Sequence, residues 1–256
     1  MKNKVKELQR INKNIIDQNG HLLSFDKQLI QLMSGVFDTR FPLVINETTH
    51  SLDYIKQIDS ERPLLINSST VIKLRDKHDL GYEFVSEIEN KLKNSVLAFD
   101  SLTQNTSKII LLNEFDEDTG DPMIAICRYD KDMDEGTTIV NEITSVYDKE
   151  RFINFLTKSY KENKKFFKNE KTEQYFIPNW LQLPEDMRYA LSDSYGKQVF
   201  NKSQVEQDRA NHLRQVSKKN LHKEDDFVTR LKELQRQQKN PGKKKEKKRD
   251  RDGFIR

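Results

Sequence analysis

Four β-rich runs decide the fold class of this chain: VLAFDS (Val96–Ser101), KIILLNEF (Lys108–Phe115), PMIAICRY (Pro122–Tyr129) and TTIVNEITSVY (Thr137–Tyr147). Each run is rich in the β-branched and aromatic residues that favour strands. Only short polar segments separate the runs, and connections of this length join neighbouring strands as antiparallel hairpins. The pattern therefore predicts a four-stranded antiparallel sheet.

Helical patterns lie on both sides of these runs. Apolar residues recur every three or four positions from Val5 to Ile15, and a second helix is predicted over Leu22–Met33. An amphipathic helix is predicted over Glu83–Asn94, before the sheet, and another over Lys149–Phe166 that is expected to cover the sheet. The predicted fold class is α+β: N-terminal helices, the four-stranded antiparallel sheet, a covering helix, and a polar C-terminal tail that is helical or disordered.

The charge of the chain is unevenly distributed. The net charge is +4, but residues 197–256 carry 19 Lys and Arg against 9 Asp and Glu, whereas residues 1–196 carry 26 against 32. This shift in composition predicts three parts: a helical leader at 1–35, an α+β body at 36–196 and a basic extension at 197–256. The extension is expected either to contact nucleic acid or only to keep the chain in solution.

Several classes of protein lack their sequence signatures here. No run of 18 apolar residues exists, so no membrane helix is predicted, and the N-terminus has no apolar segment typical of a secretory signal. Cys127 is the only cysteine, which excludes an intrachain disulfide and favours a cytoplasmic location. The acidic loops at 116–121 and 130–136 are read as solvated turns, and no metal or other cofactor is predicted.

Candidate functional side chains are few. His78 ends a predicted helix beside Lys77, and an imidazole in this setting can do acid–base chemistry or simply hydrogen-bond a carbonyl at the helix end. The last strand carries Thr144, Ser145 and Tyr147. Strand geometry places Ser145 and Tyr147 on one face and Thr144 on the other. Such hydroxyls are typical of a phosphate-binding cleft, and a polar edge strand would look the same.

The order of these segments resembles the phage-borne members of the Barnase–EndoU–colicin–RelE nuclease superfamily, and in particular the domain at the C-terminus of MuF-type phage head proteins. The shared pattern is a helix ending in Lys77-His78, a strand ending at Ser101, two apolar strands around an acidic hairpin, and a strand closing on Ser145-x-Tyr147. The resemblance spans Val36 to Leu183. It implies a barnase/RelE-like fold and an RNA-cleaving toxin or effector from a phage or mobile element that needs no metal.

The resemblance also implies roles for individual residues. His78 is expected to act as general acid or base on the ribose 2′-hydroxyl or the leaving 5′-oxygen, and Lys77 to stabilise the charged transition state. Ser101 and Thr144 or Ser145 would hold phosphate oxygens, and Tyr147 would stack on a base or orient the phosphate.

A second interpretation keeps the fold without the catalysis. In it the chain is an inactive accessory protein that binds a host protein or nucleic acid. For an active toxin, an immunity protein is a candidate partner. The two interpretations differ in whether His78 lies close to Ser101 and to the strand that carries Thr144 and Tyr147.

Overall fold

The computed structural model describes residues 2–78, 80–133 and 138–214. Within these ranges, the centre of the fold is one mixed sheet of eight strands. The strands run in the spatial order β1-β2-β6-β5-β4-β3-β7-β8, and every neighbouring pair is antiparallel except β2 and β6, which are parallel. Their bounds are β1 Pro42–Asn46, β2 Leu64–Asn67, β3 Leu97–Asp100, β4 Ser107–Phe115, β5 Pro122–Asp132, β6 Ile139–Asp148, β7 Phe166–Lys168 and β8 Val199–Phe200.

The predicted four-stranded antiparallel sheet is therefore wrong in size and in type. The four predicted runs do form an antiparallel meander at the centre, β6-β5-β4-β3. Two further strands extend it on each side. Hairpin spacing identifies only strands that are neighbours in sequence, whereas β2 pairs with β6 across more than 70 residues. β7 and β8 contain three and two residues, which is too short for a period-2 pattern to show.

The helices cover both faces of the sheet, with bounds α1 Lys2–Ile11, α2 Phe25–Met33, α3 Ser68–His78, α4 Tyr82–Ser86, α5 Ile88–Lys93, α6 Phe152–Lys161, α7 Thr172–Phe176 and α8 Glu185–Leu191. The single helix predicted over Glu83–Asn94 is two helices, α4 and α5, which meet at Glu87. The covering helix α6 ends at Lys161, earlier than predicted, because Phe166 belongs to β7.

Two hydrophobic cores lie on opposite faces of the sheet. One face packs against the N-terminal segments and against α3, α4 and α5 through residues such as Leu29, Leu74 and Ile110. The other packs against α6, α7 and α8 through residues such as Phe99, Leu156 and Met187. Burial of this much apolar surface on both sides is the main favourable contribution to folding.

The N-terminal segment protects an edge of the sheet. β1 is an edge strand, and the Gln28 side chain accepts a hydrogen bond from the Val44 backbone N–H at 2.9 Å and donates one to the Val44 carbonyl at 3.2 Å. The Asn12 amide donates to the carbonyl of Pro42 at 3.0 Å. These side chains satisfy backbone groups that would otherwise be open to pairing with another strand.

The chain divides into two units, residues 1–206 and residues 207–256. Of the second unit the structure describes residues 207–214, which are helical. Most of the predicted basic extension thus lies outside the described residues, and the predicted domain boundaries stay predictions. No helix in the described ranges has both the length and the apolar character needed to cross a bilayer.

Cys127 lies on β5 and is completely buried, and this burial raises the pKa of its thiol to about 12. Because only the thiolate is reactive, we expect no labelling by a thiol reagent at pH 8 in the native state and full labelling in urea.

The burial of Cys127 also predicts a pH dependence of stability. The thiol ordinarily ionises near pH 9.0, so the unfolded chain loses this proton at a lower pH than the folded chain does. Stability should therefore fall as the pH rises from 9 toward 12, and fast labelling of the native protein would contradict the assigned burial.

Candidate functional site

A cleft of about 500 Å³ opens on the sheet face that carries α6. Four of the residues predicted from the sequence line it together: Ser101, Thr144, Ser145 and Tyr147. Ser101 follows the end of β3, and the other three belong to β6. Ile109, Ile126 and Phe155 contribute apolar wall. We call this site the hydroxyl cleft.

A β-bulge explains why Thr144 and Ser145 reach the same cleft. Ser145 pairs with Ile126 of β5, but Ile143 pairs with Cys127, so Thr144 is an extra residue on β6. A bulge of this kind breaks the strict alternation of side chains along a strand. The Thr144 hydroxyl donates to the carbonyl of Ile126 at 3.3 Å, and the alternation expected from the sequence does not hold here.

α3 brings His78 to the edge of the hydroxyl cleft. The helix begins directly after β2, and the Thr70 hydroxyl donates to the carbonyl of Thr144 at 3.3 Å, so its first turn contacts β6. At its other end the His78 ring stacks on the ring of Tyr147, with 6.2 Å between centroids and 28° between planes. His78 thus contacts a residue of the cleft wall but does not itself line the cleft.

Lys77 is not brought into this arrangement. Its side chain is exposed and is not part of the cleft wall. Successive residues of an α-helix point about 100° apart, so the residue next to His78 faces a different direction. Lys77 and His78 are adjacent in the sequence, but their side chains point in different directions, and only that of His78 contacts a residue of the cleft wall.

The cleft contains two cations that the sequence pattern did not indicate, Arg128 and Lys149, and its wall contains no Asp or Glu. Arg128 is half-buried and makes no ion pair within the described part of the chain. Glu142, its neighbour in the strand register, is bound instead by Lys131 at 2.8 Å. Arg128 lies on the same face of β5 as Ile124 and Ile126. A cation in place of an apolar residue on a buried strand face is the feature of the sequence from which Arg128 could have been predicted as a site residue.

The hydroxyl groups of the cleft differ in their availability. Ser101 Oγ accepts hydrogen bonds from the backbone N–H groups of Thr103 and Gln104, both at 3.3 Å, and so shapes the β3–β4 loop. Ser145 and Tyr147 have hydroxyls without a partner in the ranges that the structure describes. Partial burial raises the pKa of the Tyr147 hydroxyl, so this group stays protonated and can donate at neutral pH.

The acidic loop at 116–121 is a hydrogen-bonded turn. The Asp116 carboxylate accepts from the backbone N–H of Thr119 at 2.8 Å and of Asp118 at 3.0 Å. These bonds, led by that from Thr119, lower the pKa of Asp116, and the proximity of His78 acts in the same direction. Among the described residues no group of three or more His, Cys, Asp or Glu could hold a metal ion. The second acidic loop lies partly outside the described residues.

Residues 70–174 match the family model of the phage MuF C-terminal domain. This stretch of the chain is similar to a MuF phage domain. The MuF-like stretch begins within α3 and ends within α7, so it contains His78 and every residue that lines the hydroxyl cleft. It is shorter than the span from Val36 to Leu183 over which the sequence pattern resembles the family.

The match relates the chain to phage proteins and says nothing of the nuclease superfamily, so cleavage of RNA stays a prediction. No curated protein and no solved structure matches the chain. Any assignment of chemistry must therefore come from the cleft itself.

Proposed function

We propose that this phage-related protein binds the phosphodiester backbone of RNA in the hydroxyl cleft and cleaves it without a metal ion. The observation that carries the proposal is the wall of the cleft: two cations, several hydroxyls and no carboxylate, with a histidine stacked at its edge. Residues 1–196 are net acidic, so a wall free of carboxylates is a local departure from the rest of the body. Cations and neutral donors are the groups that bind phosphate oxygens.

The proposed reaction is an internal transfer of the phosphoryl group. The ribose 2′-oxygen attacks the adjacent phosphorus and gives up its proton to a base. The bond from phosphorus to the 5′-oxygen breaks, and that oxygen takes up a proton from an acid or from solvent water. The products are a 2′,3′-cyclic phosphate and a free 5′-hydroxyl. We assign one proton transfer to His78 and stabilisation of the phosphorane to Arg128 and Lys149. These cations take the role that the resemblance implies for Lys77.

The accessory-protein interpretation predicts binding in the same cleft without cleavage. The position of His78 behind Tyr147, outside the cleft wall, favours this alternative. Contact of nucleic acid with the basic extension, and binding of a host or immunity protein, stay proposals for either function.

The first test measures cleavage of a labelled RNA by the full chain in EDTA. We expect cleavage that survives EDTA and yields a 2′,3′-cyclic phosphate. Binding without any cleavage would overturn the enzymatic proposal and leave the accessory protein.

Arg128→Ala is expected to weaken binding of uncleavable 2′-O-methyl RNA by about tenfold, because a phosphate contact is lost. The slope of log Kd against log salt should decrease by about one. Arg40→Ala is the matched control, since Arg40 is exposed and pairs only with Asp38 in the described part of the chain. Equal affinities and slopes for Arg128→Ala and the wild type would remove Arg128 from the site.

A further inference from the structure

A second cavity, of about 400 Å³, lies beside the hydroxyl cleft. Its wall includes Phe115 at the end of β4, Tyr175 of α7, and the start of α6. The two sites flank the connection between β6 and α6: Lys149 lines the cleft and Arg151 lines the cavity. Because two residues span at most about 7 Å, one bound strand can reach both sites. We call the second site the aromatic cavity.

The aromatic cavity contains a flat apolar platform. The rings of Phe115 and Tyr175 are nearly parallel, with 5.7 Å between centroids and 5° between planes. Tyr175 supports one face of Phe115, and yet Phe115 is 56% exposed. An aromatic ring that is supported by a second ring and exposed in the wall of a cavity is the kind of group on which nucleic-acid bases stack. The buried Tyr175 hydroxyl has no hydrogen-bond partner within the described ranges.

The polar groups of the aromatic cavity differ from those of the hydroxyl cleft. Three carboxamides line it, Asn154, Asn179 and Gln182, and its two charged groups, Arg151 and Asp121, cancel. Carboxamides offer a donor and an acceptor side by side and so pair with the edges of bases. A cavity with no net charge and three such groups suits a neutral heterocycle better than a phosphate.

We propose that the aromatic cavity is a base-binding subsite, in which one nucleobase of the bound RNA stacks on Phe115 while an adjacent phosphate occupies the hydroxyl cleft. This inference rests on the proposed function and extends it, because it assigns recognition of a base to a surface separate from the reacting phosphate.

The test compares two uncleavable 2′-O-methyl tetranucleotides with equal numbers of phosphates, one with bases and one abasic. Their affinities for the full chain are measured by fluorescence anisotropy in EDTA. We expect the wild type to prefer the oligonucleotide with bases by about tenfold, since loss of one stacking contact costs this order of affinity. Phe115→Ala should remove the preference and leave the affinity for the abasic oligonucleotide unchanged. Phe115→Trp should retain the preference.

Leu181→Ala is the control variant, because Leu181 is 86% exposed and does not line the aromatic cavity. Equal affinities of the wild type for both oligonucleotides, or an undiminished preference in Phe115→Ala, would overturn the base subsite alone. Failure of the wild type to bind either one would overturn the proposed function together with it.

Discussion

Replacement of His78 by alanine is expected to reduce the rate of RNA cleavage by about 10²-fold or more, the usual contribution of a general acid or base. The ring of His78 stacks on Tyr147 at the edge of the hydroxyl cleft, and among the described residues no other histidine ring stacks on a residue of the cleft wall. The measurement is the initial rate of cleavage of a labelled RNA in EDTA, with circular dichroism to show that the variant folds.

Two further variants make this result specific to the site. His21→Ala removes an exposed histidine that interacts with Asp17 and should cleave as the wild type does. Tyr147→Phe keeps the ring that stacks on His78 but removes the hydroxyl, so a loss in this variant reports on the hydroxyl and not on the position of His78. Equal rates for His78→Ala and the wild type would exclude His78 from the reaction.

The largest effect on stability is expected from Asp100→Ala. The Lys108 side chain is completely buried, and its ammonium group binds the Asp100 carboxylate and the Gln57 amide. Removal of Asp100 leaves a buried cation without a counterion, which typically costs about 3–5 kcal/mol. We expect a loss of this size in the free energy of unfolding, measured in urea at pH 7. A loss below about 1 kcal/mol would contradict the assigned burial of this pair.

The matched variant Lys108→Met should cost less, because Asp100 is partly exposed and water can hydrate the carboxylate that remains. The double variant should likewise be more stable than Asp100→Ala. The pH dependence gives a further check on the Lys108–Asp100 pair. Burial lowers the pKa of Lys108 in the native chain, and loss of Asp100 removes the group that opposes this shift. In Asp100→Ala the unfolded state therefore binds more protons than the folded state, so the difference in free energy of unfolding between Asp100→Ala and the wild type should shrink as the pH rises from 7 toward 10.5.

The pair also has a place in the architecture of the site. Asp100 is the last residue of β3 and directly precedes Ser101, which shapes the loop at the hydroxyl cleft. The Lys108–Asp100 pair lies on the strands that start and end this loop. The proposed binding of a phosphate in one position would need a rigid support of this kind.

The sequence by itself determined the features that short stretches of chain encode. The four central strands could be predicted because each carries its own β-rich pattern and a short polar connection to the next. The helix that ends at His78 could be predicted from the residues within it. Thr144, Ser145 and Tyr147 were identified as hydroxyl groups of the last strand, and Ser101 through the resemblance to the MuF-type domain. Their catalytic roles stay predictions, because they depend on chemistry that a fold does not report.

The tertiary structure decided which distant parts of the chain meet. The parallel pairing of β2 with β6, the bulge at Thr144 and the stacking of His78 on Tyr147 all depend on contacts outside any short window. The charge of the site also depends on the tertiary structure, because Arg128 and Lys149 form a cationic wall in a body that is acidic overall. A local pattern reflects the conformation of a few successive residues, whereas a site is assembled by the packing of surfaces that lie far apart along the chain.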